Sequence, residues 1–348
     1  MRKVVPKMTI ALAIVIPLLI GCSPNEVNNR ENPYLEVVPL PDDALVYIGE
    51  GSFGYWLGVA PLEFEWDWYE ELWNGYLELN SPTNPLIAHI SNVSREGSYF
   101  VLKMFLNYEE VSFRPLAAAE FETQFTFFLE GGYQADFPFV LDLSTADLEG
   151  TSKLTAAVFV DPDRHAISGD HRWSGFGDAS GMVLNYDLFS GTREDIVLDV
   201  PYTQAAEHRE AVTFNTIQIN TQFGDFQTKE FIHSAEHSLQ VRRGKTLELA
   251  FFASPFVTDV YELESYIILA LLDWQQIPIN GQPFLYIHVK DHDFEHVMEH
   301  GVLTIEVPDE VGVYDFIAMI IPNPTRRNSF GNYRPMDLSD RFTIEVVE

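Results

Sequence analysis

The sequence predicts an all-β protein in which two antiparallel β-sandwiches follow one another along the chain. Three observations carry this prediction: segments in which apolar and polar residues alternate, short continuous apolar runs, and turn residues at intervals of roughly ten residues. Alternation with period two is typical of strands with one buried face, because successive side chains of a strand point to opposite faces. The sequence shows no long helical periodicity and no coiled-coil heptads.

Two kinds of strand follow from these patterns. Alternation predicts half-buried strands in which one set of side chains shares the inner face; these sets are Phe121/Thr123/Phe125/Phe127/Leu129, Leu285/Ile287/Val289, Leu303/Ile305/Val307 and Phe342/Ile344/Val346. Continuous apolar runs predict central strands at Leu154–Val160, Leu247–Phe252 and Ile267–Leu272. Turns are expected at Asn84-Pro85, Asn280-Gly281 and Asn323-Pro324.

A weak internal echo supports two sandwiches. Residues 147–163 (DLEG, an apolar run, then DPD) are echoed by residues 309–324 (DEVG, an apolar run, then PNP). In the second copy, Asp309-x-x-Gly312-x-Tyr314 resembles the tyrosine corner of immunoglobulin-like and fibronectin-type sandwiches. That resemblance implies a tyrosine hydroxyl that ties a loop to the backbone, and it concerns fold rather than function. The first copy has Ser152 at the matching place.

The predicted domain organisation has four parts. Residues 1–21 are a signal peptide, residues 22–33 a tether, residues 34–205 a first sandwich with an aromatic-rich N-terminal extension, and residues 206–348 a second sandwich. The boundary between the sandwiches is expected in the polar stretch 201–215.

The signal peptide has a positive start at Arg2, Lys3 and Lys7, followed by the apolar run Met8–Ile20. It ends in Leu-Ile-Gly-Cys22, which resembles the lipobox of bacterial lipoproteins. That resemblance implies that Cys22 carries a thioether-linked diacylglycerol and an acylated N-terminus with chains such as palmitate. The protein is therefore expected to be lipid-anchored at the extracytoplasmic face of a bacterial membrane, either the cell membrane or an outer membrane.

Composition narrows the possible partners. The chain of 348 residues carries 21 basic and 52 acidic side chains, a net charge of −31, which disfavours binding to nucleic acid. Cys22 is the only cysteine, so no disulfide is available, and the 46% hydrophobic residues must supply the cores. We expect the partners to be the membrane, through the lipid anchor, and an envelope protein or glycan.

Histidines at 288, 292, 296 and 300 make a metal site one alternative. His288, His292, His296 and His300 would stack on one face of a helix, and His-x-x-Glu-His occurs twice among residues 292–300. Flanking strands leave room only for a loop, which favours a solvated polar segment. No cofactor is predicted; a weak zinc site here, or a weak calcium site at Asp161, Asp163 and Asp170, remains an alternative.

Aromatic residues between positions 53 and 76 make a ligand surface the other alternative. Trp66, Trp68 and Trp73 are the candidate ligand-binding residues, and Glu63, Glu65 and Asp67 alternate with aromatic residues nearby. Flat rings of this kind stack on sugars or peptides, but the same tryptophans could fill the core of the first sandwich.

The function predicted is that of a non-catalytic binding, interaction or structural module rather than an enzyme. No Gly-x-Ser-x-Gly elbow, phosphate-binding glycine loop or Cys-x-x-Cys pair occurs in the sequence. The alternatives are a glycan- or peptide-binding lipoprotein that uses residues 53–76, and a metal-binding protein or zinc-dependent hydrolase that uses residues 288–300.

Overall fold

The computed structural model describes residues 32–40, 54–63, 75–79, 81, 83–94, 96–143, 150–162, 181–203, 206–208, 216–220, 238–254, 264–289, 298–328, 337–339 and 341–348. These residues form 23 strands and no helix. The strands build four sheets that pack in pairs, so the predicted all-β class with two immunoglobulin-like sandwiches in tandem is confirmed.

The first sandwich contains the strands up to Ser190. In chain order they are β1 (Glu36–Pro39), β2 (Tyr55–Pro61), β3 (Tyr76–Glu78), β4 (Leu86–Asn92), β5 (Ser98–Leu106), β6 (Glu109–Glu110), β7 (Phe113–Pro115), β8 (Gln124–Leu129), β9 (Tyr133–Leu141), β10 (Gly150–Val160) and β11 (Gly181–Ser190). Sheet 1 has the order β1-β9-β4-β2, with β7 also on β9. Sheet 2 has the order β3-β11-β10-β5-β6, with β8 also on β5. Only the β3–β11 pair among these strands is parallel.

The second sandwich contains the strands from Tyr202 onward. They are β12 (Tyr202–Thr203), β13 (Ala206–His208), β14 (Thr216–Asn220), β15 (Ser238–Arg242), β16 (Thr246–Ser254), β17 (Ser265–Leu272), β18 (Gln275–Ile277), β19 (Leu285–His288), β20 (Met298–Glu306), β21 (Gly312–Pro322), β22 (Asp337–Leu338) and β23 (Phe342–Val347). Sheet 3 has the order β12-β19-β17-β21-β23-β15, with β18 on β17 and β22 on β21. Sheet 4 has the order β13-β20-β16-β14. The short edge strands β12 and β15 pair in parallel with β19 and β23.

Each sandwich closes around its own apolar core. In the first, residues such as Ile90 and Phe137 of sheet 1 meet Leu102 and Val158 of sheet 2. In the second, Ile268 and Ile344 of sheet 3 belong to the same core as Leu249 and Leu303 of sheet 4. Burial of such side chains stabilises each by about 1.5–3 kcal/mol, which explains how the fold holds without disulfides.

The edge of β2 is closed by side chains rather than by another strand. The backbone N–H of Val59 donates to Tyr186 Oη at 2.9 Å, and that of Leu57 donates to the Met182 sulfur at 3.2 Å. Burial raises the pKa of Tyr186 well above its usual value, and the bond from the Val59 N–H opposes this shift. These contacts satisfy N–H groups at an edge that could otherwise pair with another chain.

The tyrosine corner expected in the second sandwich is confirmed. Tyr314 Oη donates to the carbonyl of Glu310 at 3.1 Å, and the ring lies close to Gly312, where a Cβ would come within 3.3 Å of it. Asn280 and Gly281 have φ values of 52° and 73°, as a type I′ turn requires.

Most of the strand predictions are confirmed, with two changes of boundary. The runs Leu154–Val160 and Ile267–Leu272 lie in the central strands β10 and β17. The alternating strand expected from Phe121 begins at Gln124, because the backbone of Glu122 pairs instead with Phe113, and Phe121 and Thr123 are exposed. The strand that contains Leu303 and Ile305 begins earlier, at Met298.

Candidate functional site

Most residues singled out by the sequence lie outside the described residues. These are Cys22, Trp66, Trp68, Trp73, His292 and His296, and with them Asp163 and Asp170. Their proposed roles in lipidation, ligand binding and metal binding therefore stay predictions. Among the residues that the structure describes, no helix has the length and apolar character needed to cross a bilayer.

The two described histidines of the predicted metal cluster lie on different sheets. His288 ends β19 of sheet 3, where it is exposed and its ring centre lies 5.2 Å from that of Tyr202. His300 is half-buried on β20 of sheet 4, and its backbone pairs with Phe252. In the described part of the chain, no three His, Cys, Asp or Glu side chains come together as a metal site.

Asp161, the described member of the predicted calcium loop, makes bonds within the protein. Its carboxylate accepts from the backbone N–H of Tyr99 at 3.3 Å, and its carbonyl accepts from Arg341 at 2.7 Å. The residue has a positive φ of 48°, as expected for a turn that follows a strand.

The aromatic segment 53–76 is described only at its two ends. Tyr55 is half-buried and packs edge-on against Phe100 of the core at 5.3 Å, whereas its neighbour Trp56 points the other way and is 43% exposed. Tyr76 is also 43% exposed, and the Arg193 guanidinium lies 4.6 Å above its ring.

The best defined cluster of polar side chains lies between the two sandwiches, and we call it the seam. The seam is the contact between the outer face of sheet 2 and the outer face of sheet 3. Its apolar part joins Val101, Phe105, Ala157 and Phe159 of the first sandwich to residues of β17, β19 and β21; those residues are Ile267, Leu269, Leu271, Tyr286, Ile317, Met319 and Ile321. The four sheets therefore stack as four layers.

Lys103 anchors one polar group of the seam. It lies fully buried on β5, with Nζ 2.7 Å from Glu110 Oε1 and donating also to the carbonyl of Trp274 in the second sandwich. Glu110 and Gln276 bond reciprocally: the Glu110 N–H donates to the Gln276 side chain at 2.7 Å, and the Gln276 N–H donates to the Glu110 carboxylate at 3.0 Å. Burial lowers the pKa of Lys103, while Glu110 opposes the shift.

Lys153 and Asp187 form the second polar group. They sit directly opposite each other on β10 and β11, both side chains are fully buried, and Nζ lies 2.5 Å from Oδ1. Lys153 also donates to the carbonyl of Arg326 in the second sandwich. Burial lowers the pKa of Lys153 and raises that of Asp187, and their mutual attraction opposes both shifts.

Asn328 of the second sandwich completes this group by contacts with the first. Its backbone N–H donates to Asp187 Oδ2 at 2.8 Å, and its side-chain amide donates to the carbonyls of Asn185 at 2.7 Å and Gly75 at 2.9 Å. These bonds place the segment after β21 against β11 and β3, and they help to satisfy a carboxylate that is removed from water.

Tyr108 and Arg341 each bond from one sandwich to a backbone carbonyl of the other. Tyr108 of the first sandwich is fully buried and donates to the carbonyl of Pro324 at 2.6 Å; burial raises its pKa well above the usual value. Arg341 of the second sandwich donates to the carbonyl of Val160 at 2.6 Å, and its guanidinium lies 4.8 Å above the ring of Trp274.

The segment that connects the sandwiches packs along the seam. Ile196, Leu198 and Val200 pack against the apolar part of the seam, whereas Val197 between them is 93% exposed. The Ile196 N–H donates to the carbonyl of Thr325 at 2.9 Å. The connection therefore adds to the contact between the sandwiches.

Sequence reasoning missed the seam, although the signal was present. Lys103 interrupts an apolar strand, and Lys153 precedes another directly; a lysine inside such a strand needs a buried partner. The seam side chains described above bond to one another and to backbone groups. This arrangement can hold two bodies in a fixed orientation.

No protein-family model and no curated protein matches the chain. Solved structures match weakly. The CARDB domain of a Pyrococcus furiosus protein in complex with di-metal ions is 15% identical and matches over 40% of this chain and 95% of that one, with a TM-score of 0.23. The C-terminal domain of the Streptococcus agalactiae antigen I/II polypeptide BspA is 11% identical over 84% of this chain and 100% of that one, with a TM-score of 0.22.

The C-terminal domain of the Streptococcus pyogenes antigen I/II-family protein AspA is similar at 8% identity, over 84% of this chain and 99% of that one, with a TM-score of 0.23. At these identities and TM-scores, the three matches carry no argument about ligand, partner or activity. The fold of this chain rests on the sheets and cores described above.

Proposed function

We propose that this chain is a lipid-anchored extracytoplasmic protein whose two sandwiches act together as one rigid binding or structural module. The observation that carries the proposal is the seam. It joins the sandwiches by an apolar layer and by the buried pair Lys153–Asp187, whereas a flexible tandem would keep its facing surfaces solvated. A rigid module of this kind holds a binding surface at a fixed distance and angle from its anchor.

Calorimetry of the full chain tests the rigid module. Because the seam is shared by both sandwiches, the two should unfold together in a single transition whose calorimetric and van't Hoff enthalpies agree. Two separate transitions in the unmodified protein would contradict the proposal.

The anchor is supported by the apolar leader and the lipobox that ends at Cys22. Two or more acyl chains hold a protein at a bilayer durably, since each buried methylene contributes about 0.8 kcal/mol. Cells that express the full chain should incorporate a clickable palmitate analogue into the protein, and Cys22→Ala should lose both the label and retention at the membrane. A Cys22→Ala protein that is still labelled would contradict the anchor.

Binding of a glycan or peptide through residues 53–76 is the second candidate function. Exposure of Trp56 on β2 favours it, because a large ring directed to solvent is available for stacking. Trp56→Ala should abolish binding in a glycan array without changing the melting temperature, whereas loss of fold in this variant would assign the ring to packing.

A further inference from the structure

A cavity opens at the edge of the first sandwich, where sheet 1 and sheet 2 come together. It has a volume of about 320 Å³ and lies between the start of β1, strand β7, the loop 116–123 and the start of β8. This volume falls at the lower end of the range of about 300–1,000 Å³ that is typical of small-molecule pockets.

The inner wall of the cavity is aromatic. Tyr34, Phe113 and Phe125 line it, and Tyr34 meets Phe125 edge-on with the ring centres 6.2 Å apart. Phe125 stacks in turn on Phe137 of the core at 4.4 Å, and Phe137 lies 6.1 Å from Phe113. Phe113 and Phe125 therefore belong to a packed group of rings in the first sandwich, which fixes this part of the lining.

The lining of the cavity includes two exposed carboxylates. Glu120 and Glu122 line it and are exposed, and no described residue forms an ion pair with either carboxylate. Arg114 lies on the neighbouring strand, but it donates to the carbonyls of Leu116 and Ala118 and lies 5.2 Å above the ring of Phe121. These contacts engage the guanidinium with the loop backbone and with the Phe121 ring.

We infer that this cavity binds a small organic cation, namely a primary ammonium group on an apolar body the size of a phenylalkylamine. The apolar body lies against the three aromatic rings, and the ammonium group meets Glu120 and Glu122. Aromatic ring faces and carboxylates both attract cations, whereas the same surroundings repel an anion. The site rests on the binding role proposed above and gives it a ligand class.

Titration calorimetry with 2-phenylethylammonium tests this inference on the full chain in nonionic detergent. The cation should bind once per chain, with a dissociation constant of about 1 mM for a ligand of this size. Phenylacetate, which has the same ring and the opposite charge, should not bind. Absence of saturable binding, or equal binding of the anion, would overturn the inference.

Variants then locate the binding in the cavity. Ala118 lines it, so Ala118→Leu should weaken binding about tenfold or more by filling the space, whereas Ala117→Leu, at an exposed neighbour that does not line it, should leave binding unchanged. The double variant Glu120→Gln/Glu122→Gln should weaken binding about three- to tenfold, while Glu96→Gln elsewhere on the first sandwich should not. Equal affinity in the lining variants and their controls would place the cation elsewhere and overturn the inference.

These experiments test the cation site separately from the lipid-anchored rigid module. They use a soluble probe and a purified chain, so their failure leaves the tests of the anchor and of the seam unaffected. Conversely, a chain that proves not to be lipidated would still bind the cation if the cavity is the site.

Discussion

Strands β17 and β20 belong to the same sandwich, yet buried and more exposed residues alternate in β20 and not in β17. In β20, Leu303 and Ile305 enter the core, and Thr304 between them faces outward and is half-exposed. In β17 every residue from Ser265 to Leu272 is buried. Its side chains divide between two apolar regions: Tyr266, Ile268, Ala270 and Leu272 enter the core, and Ile267, Leu269 and Leu271 enter the seam.

The continuous apolar pattern of β17 therefore reflects two packing surfaces, one on each face of the strand. A central position in a sheet buries the edges of a strand, and in β17 a packed layer on each side buries both of its faces. The same division occurs in β10, where Ala156 and Val158 enter the first core and Ala157 and Phe159 enter the seam. The two sandwiches therefore pack against each other through β10 and β17, strands in which apolar and polar residues do not alternate.

Removing one partner of the buried pair in the seam should have the largest effect. Lys153→Met leaves Asp187 buried without its ammonium partner, and we expect it to cost about 3–5 kcal/mol of the free energy of unfolding in denaturant titrations. The double variant Lys153→Met/Asp187→Leu should recover part of that loss, because no buried carboxylate is left without its lysine. Recovery should be incomplete, since the Arg193 guanidinium, 3.6 Å from Asp187 Oδ2, also loses its partner.

The exposed pair Arg326–Glu264 supplies the matched control for this prediction. Both side chains are about half exposed, so Arg326→Met should cost about 1 kcal/mol or less. Equal losses in Lys153→Met and Arg326→Met would show that the seam carboxylate is solvated rather than buried.

Truncating the seam face of β17 should cost nearly as much and should also uncouple the sandwiches. Leu269→Ala removes a fully buried side chain, and we expect a loss of about 2–5 kcal/mol together with the splitting of one calorimetric transition into two. Leu303→Ala, in the core of the second sandwich, should lower the free energy of unfolding by a similar amount. It should keep a single calorimetric transition, because the seam is unchanged. Thr304→Ala should change stability by no more than about 0.5 kcal/mol.

Alkaline pH should weaken the seam by a smaller amount. Burial raises the pKa of Tyr108 above its ordinary value of 10.0, so above pH 10 the unfolded chain loses a proton that the folded chain keeps. Stability should therefore fall as pH rises, by up to about 1.4 kcal/mol per pH unit for this group.

The seam lysines make stability rise with pH instead, mainly at pH values below the range in which Tyr108 acts. Lys103 and Lys153 have lowered pKa values in the fold, so stability rises between those values and the ordinary value of 10.5, and the gain is complete above it. The lysines are present in both proteins, so the difference in melting temperature between the unmodified chain and Tyr108→Phe above about pH 10 isolates the effect of Tyr108. Tyr108→Phe should melt lower at neutral pH, because it loses the bond to Pro324, and should show a shallower alkaline slope. An unchanged slope would assign the alkaline loss to other groups.

Sequence predicted the elements of this fold better than it predicted their assembly. Alternation and turn chemistry are local, so Leu303/Ile305/Val307 and the Asn280-Gly281 turn could be placed from a few neighbouring residues. Lys153 meets Asp187 across β10 and β11 of one sandwich, whereas Asn328, 175 positions from Lys153 in the sequence, bonds to Asp187 only because the two sandwiches fold against each other. The cavity depends likewise on the distant residues Tyr34 and Phe125, and no short motif encodes their meeting.

The tyrosine corner should contribute least to the free energy of unfolding. It is also a feature in which the two sandwiches differ. The second sandwich has Tyr314 bonded to the Glu310 carbonyl, whereas the first has Ser152 at the matching place, buried and facing the Asn107 amide at 3.4 Å. Tyr314→Phe removes one partly exposed hydrogen bond, so it should lower the free energy of unfolding by about 0.5–1.5 kcal/mol. Because its ring remains packed beside Gly312, the variant should keep a single calorimetric transition, unlike Leu269→Ala. A second transition in Tyr314→Phe would mean that the corner supports the seam, since its strand β21 also carries the seam residues Ile317 and Met319.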